Sequence, residues 1–72
     1  MTIRGYQVDV ERLNERLGGG YVAYAPQLMG CLADGETPDE ALRNLEDAVS
    51  CWIDAARANG AALPLPQMMA HA

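Results

Sequence analysis

An α+β fold, an antiparallel sheet of three to four strands covered by one long helix in the order β-β-β-α(-β), follows from three observations on this 72-residue chain. Residues 3–13, IRGYQVDVERL, set Tyr6, Val8 and Val10 on one side and Gln7, Asp9 and Glu11 on the other, the period-2 pattern of a strand with one buried face. The run Thr37-Pro38-Asp39-Glu40 places an N-cap threonine before a proline suited to the first helical position. Its glutamate, three residues after the threonine, completes a capping box. Between positions 42 and 56 the apolar residues recur at about 100° per residue, as on an amphipathic helix.

The remaining elements follow in chain order. Residues 14–20, NERLGGG, end the first strand in a glycine run that can supply the positive φ angles of a hairpin connection. A phosphate-binding loop is the other reading of GGG, but no GK[ST] follows and a strand comes next. The second strand covers residues 21–25 and stops at Pro26, whose missing N–H is poorly tolerated within a sheet. PQLMG turns the chain, and a third, short strand at residues 31–33 or slightly beyond ends near Asp34-Gly35. The helix starts at Pro38 and ends near Asn59-Gly60, with Pro64 and Pro66 preventing its continuation. Its sheet-facing stripe is Leu42, Leu45, Val49, Trp52, Ile53 and Ala56, widened by Ala41, Ala48 and Ala55, and Trp52 is expected in the helix–sheet core. AALPLP is expected to add a short edge strand. Residues 1–66 then form one domain and 67–72 a flexible tail.

Composition bounds the function. A chain this short buries only about 60% of its unfolded surface, so its own core is small and association with itself or a partner is expected. Ten acidic residues against five arginines give a formal charge of −5, which repels phosphate backbones and predicts no direct nucleic-acid binding. A basic protein is the natural complement. Cys31 and Cys51 fit neither a zinc spacing nor CxxC, the N-terminus has no apolar signal core, and no stretch approaches a membrane span. The expected location is the cytoplasm, with both thiols reduced. His71 has no Cys or carboxylate near it in sequence, so no cofactor, metal site or catalytic residue is assigned.

Tyr21, Ala23, Pro26, Leu28, Gly30-Cys31, Gly35, Thr37, Glu40-Ala41, Glu46 and Ala48 together resemble the signature of the HicB family of antitoxins. The shared order is glycine, strand, Pro-x-Leu-x-Gly, strand, Gly-acidic-Thr, helix. The likeness extends from residue 3 to residue 66, with Gln27 where the family usually has an acidic residue and Met29 where proline is frequent. The resemblance implies a partial RNase H-like fold that neutralises a small, basic, RNA-cleaving toxin of the HicA family. Many HicB proteins continue into a helix-turn-helix or ribbon-helix-helix DNA-binding domain; residues 61–72 are expected to form neither, so the expected module lacks it.

If the even-numbered residues of the first strand face the helix, the opposite sheet face carries Asp9, Glu11, Val22, Tyr24, Leu32 and Asp34. Apolar and aromatic in the middle and acidic at the margin, it suits a basic partner, with Tyr24 as anchor and the carboxylates steering approach. The alternative is a self-assembling interaction domain with an unrelated partner; on either reading a homodimer or larger homo-oligomer is expected. A metal-dependent nuclease would need Asp9, Asp34 and Glu46 to converge, and the first two point away from the layer that holds the third. The chain is therefore read as a non-enzyme.

Overall fold

The structure, a computed structural model, describes residues 1–64. Its elements are β1 (Thr2–Ile3), β2 (Tyr6–Gln7), β3 (Asp9–Arg12), a 3₁₀ turn (Glu15–Leu17), β4 (Tyr21–Tyr24), β5 (Leu32–Gly35) and α1 (Pro38–Ala58). β1 and β2 form an antiparallel pair, and β3, β4 and β5 form an antiparallel three-stranded sheet in that order. The helix lies across β5 and β4 and reaches β3 only at its margin. The α+β architecture with one long helix is as expected.

The single first strand expected over residues 3–13 is instead a hairpin followed by a strand. Arg4 and Gly5 both adopt positive φ, 54° and 85°, which lets two residues reverse the chain so that Ile3 pairs with Tyr6 and Thr2 with Gln7. The reversal has a parity consequence. In an unbroken strand Ile3 would share the outer face with Asp9 and Glu11, whereas as the cross-strand partner of Tyr6 it packs against the core. The Val8 N–H donates to the Met1 carbonyl at 3.0 Å and the Leu13 N–H to Gly20 at 2.9 Å. Between these two bonds the strip from Tyr6 to Arg12 exchanges β1 on one side for β4 on the other. The extra short strands thus come before the meander, as a two-stranded sheet of their own. Residues 61–64 form no strand; Leu63 packs on the core and the Tyr6 hydroxyl donates to the Pro64 carbonyl. The rest of the expected edge strand, residues 65–66, and the tail with His71 lie outside the described residues.

At the helix start Thr37 Oγ1 accepts from the Glu40 N–H at 3.1 Å, and Glu40 Oε1 accepts from the Glu36 N–H at 3.4 Å, one residue before the usual reciprocal partner. At the far end Asn59 caps the helix and Gly60 takes φ 70°.

The core is filled by Tyr6, Val8, Ala23, Ala25, Leu28 and Cys31 from the sheet side and by Ala41, Leu45, Val49, Ile53 and Ala56 from the helix. Two expectations for the helix stripe change. Ala55 is exposed, and Trp52 is half-buried at the rim, where its Nε1–H donates to the Met29 carbonyl at 2.9 Å. The deep positions belong to Leu45 and Val49, with no exposed surface. The turn after β4 contributes more than a reversal: the Leu28 N–H donates to Ala25 and the Cys31 N–H to Leu28, which folds Leu28 inward to 1% exposure.

Candidate functional site

Because side chains alternate across a strand, the register decides which residues share the uncovered face. Val10, Ala23 and Ala33 stand opposite one another and pack toward the helix. The rows on either side of them, Asp9–Tyr24–Leu32 and Glu11–Val22–Asp34, therefore point away from it. All six residues expected on the outer face are gathered there as a grid of two rows by three strands. Val22 and Tyr24 are half-buried on the central strand, and Asp9, Glu11, Leu32 and Asp34 are exposed on the flanks. Leu32 retains 60% of its surface, high for an aliphatic side chain.

The grid carries three carboxylates and no base. Tyr24 Oη donates to Glu11 Oε1 at 3.3 Å, diagonally across the two rows. The phenol is pushed above its ordinary 10.0 by desolvation first, then by the Glu11 and Asp9 carboxylates, and last by the hydrogen bond to Glu11. At neutral pH Tyr24 is thus a neutral donor between two acidic neighbours. Two interstrand spacings by one side-chain repeat make a patch of only about 10 Å by about 7 Å.

Glu46, the third carboxylate of the nuclease alternative, stands on α1 in a recess it shares with Thr2, Ile3 and Arg4. It is on the layer opposite Asp9 and Asp34. Among the described residues no group of three His, Cys, Asp or Glu side chains is placed to hold a metal ion, and no helix is long and apolar enough to cross a membrane.

Two features of β5 had no signal in the sequence pattern. Asn44 on the exposed side of α1 donates from Nδ2 to the Asp34 carbonyl at 2.8 Å, tying the helix to the sheet's last strand. Asp34 also borders a recess of about 240 Å³ with Glu36, Glu40 and Asn44, so the acidic flank continues around the end of β5. An asparagine on a polar helix face and two glutamates in a helix start have commonplace local explanations, and only the fold brings them beside Asp34.

Two UPF0150 proteins of Synechocystis sp. are similar to the chain. One is 40% identical over 42 residues, 58% of this chain and 53% of its own. The other is 44% identical over 46 residues, 64% of this chain and 63% of its own. A UPF0150 protein of Helicobacter pylori is 38% identical over 39 residues, 54% of each chain. The chain spans about half to just under two thirds of the length of these relatives. No solved structure matches it significantly. The family described as HicB_like antitoxin of bacterial toxin-antitoxin system matches residues 6–72, from the first core tyrosine onward, and the chain belongs to that family.

Proposed function

We propose that this chain is an antitoxin module that neutralises a HicA-type RNA-cleaving toxin by covering its basic surface. The observation that carries the reading is the outer sheet face: Tyr24 and Val22 in the middle, with Asp9, Glu11 and Asp34 around them. Desolvating an aromatic anchor supplies the lasting contact, while carboxylates at the margin accelerate the encounter with a positively charged partner. Family membership and the formal charge of −5 support the same choice of partner. In this reading the chain performs no chemistry, binds no nucleic acid, needs no cofactor and works in the cytoplasm. It keeps the toxin's RNA site occupied by protein, on a partial RNase H-like scaffold.

The test uses a HicA-type basic protein, sought first in the adjacent reading frame. The chain should bind it and suppress its RNA cleavage. Changing Asp9, Glu11 and Asp34 to Asn or Gln should slow association and flatten its salt dependence, whereas Tyr24→Ala should speed dissociation. No detectable binding by the unmodified chain rejects the antitoxin reading. Unchanged rates in both variants reject this face.

A second reading, self-association through the same face, is favoured by one observation, the 60% exposure of Leu32 beside Tyr24. Light scattering on the isolated chain separates it: a monodisperse mass near the 7.7 kDa of one chain at micromolar concentration excludes a homodimer.

A further inference from the structure

The six-residue face is far smaller than the roughly 800 Å² per partner of a stable interface, so a partner held there must also use neighbouring surface. The hydrogen-bond pattern shows where. The Ala25 N–H donates to the Cys31 carbonyl at 3.1 Å, and Ala25 and Cys31 lie one step before the opposed pair Tyr24 and Leu32. In an antiparallel ladder hydrogen-bonded and non-bonded pairs alternate, so Ala33 and Gly35 bond to β4 while Leu32 and Asp34 turn their N–H and C=O groups away from it. The bond from Asn44 to the Asp34 carbonyl confirms that direction independently. It satisfies one of four outward groups. The two N–H groups and the Leu32 carbonyl remain on an edge that no strand among the described residues pairs.

Edge strands are usually blunted by lysine, proline or a bulge. β5, LADG, has none of these. Its surroundings instead select a charge: Asp34, Glu36 and Glu40 gather at one end of it. A second copy of this chain would lay β5 antiparallel against β5 and offer these carboxylates no base, since LADG carries none, which leaves a cationic strand as the occupant that fits. Resting on the antitoxin reading, we propose that the toxin docks by adding an extended, basic segment to the open edge of β5. An apolar side chain of that segment lies beside Leu32, and a lysine or arginine two residues away lies beside Asp34. Strand addition draws affinity from main-chain hydrogen bonds and specificity from alternate side chains, and here those side chains continue the outer face. The Asn44 carboxamide acts as a plug at Asp34 that the incoming strand displaces or bridges.

Proline at position 32 tests this cleanly, because it removes an outward N–H that the β4–β5 ladder does not use. With the same HicA-type protein as probe, Leu32→Pro should weaken binding by about tenfold or more, the scale of one lost buried hydrogen bond. Leu32→Val, which keeps the N–H and trims only part of the side chain, should weaken binding by less than the proline does. A measurement on the unmodified chain makes the test independent of whether the proline variant folds. By amide hydrogen exchange, Leu32 and Asp34 should exchange rapidly in the free chain and slow at least about tenfold in the complex. Tight binding with both amides still exchanging freely overturns strand addition and leaves the antitoxin reading standing. Amides already protected in the free chain, with a doubled mass, show the edge occupied by a second copy and overturn the proposal. Absence of binding overturns the antitoxin reading and strand addition with it.

Discussion

Gly35 and Ala41 approach so closely that a Cβ built on Gly35 would lie 2.5 Å from the Ala41 backbone nitrogen. The obstructing atoms belong to the first turn of α1 and cannot rotate away, so the last residue of β5 must be glycine for the helix to seat on the sheet. Gly35→Ala should therefore lift the helix start and cost at least about 1–3 kcal/mol, as overpacking does. A fall in the urea midpoint with an unchanged slope is the expected result.

Helix truncations should rank by depth. Leu45→Ala removes a side chain with no exposure and should cost about 2–5 kcal/mol. Trp52→Phe keeps most of the apolar area but loses the donor to Met29, which should cost about 0.5–1.5 kcal/mol. Thermal melts monitored by circular dichroism would show Leu45→Ala as the more destabilising of the two; the reverse order would place Trp52 in the core.

The Tyr24 phenol should titrate above 10.0 in the folded chain, and Glu11→Gln, which removes a charge and an anionic acceptor, should bring the midpoint down. The folded chain holds this proton more tightly than the unfolded chain. The associated stability is therefore complete below the ordinary phenol range and is lost as pH rises through Tyr24's own titration. Carbon-13 NMR of labelled tyrosine resolves this ring from Tyr6 and Tyr21.

The two cysteines should separate kinetically. Burial raises the Cys31 thiol above its ordinary range and shields it at 5% exposure, whereas Cys51 is exposed. Iodoacetamide should modify Cys51 in the folded chain and reach Cys31 only on unfolding. Mass spectrometry of timed samples counts the two events.

The helix boundaries and the outer face were legible because each rests on a strictly local rule. Thr37, Pro38 and Gly60 mark the ends by their chemistry, and period-2 alternation assigns Asp9, Val22 and Leu32 to one side once the strands are found. What stayed hidden involved parity or depth. Ile3 on the wrong side of its own alternation and a glycine at position 5 were the signs of a turn at Arg4 and Gly5, and a positive φ at arginine is too uncommon to expect. A 100° projection gives the angle of Trp52 but not its distance from the sheet centre, so rim and core merge. Leu28 has no periodic neighbours to announce that it is buried, and the openness of the β5 edge is a property of strand order, which no window of sequence contains.

In the turn after β4, inward and outward positions are consecutive. Leu28 is 1% exposed and Met29 is 88% exposed, and Trp52 holds residue 29 by its main-chain carbonyl, which every amino acid possesses. Selection can therefore vary position 29 without touching either the plug beneath it or the clasp behind it, while a change at position 28 is charged at once to folding. The chemistry of this surface position and the stability of the fold are thus heritable as separate traits within two adjacent codons, and a lineage can explore the first without risking the second.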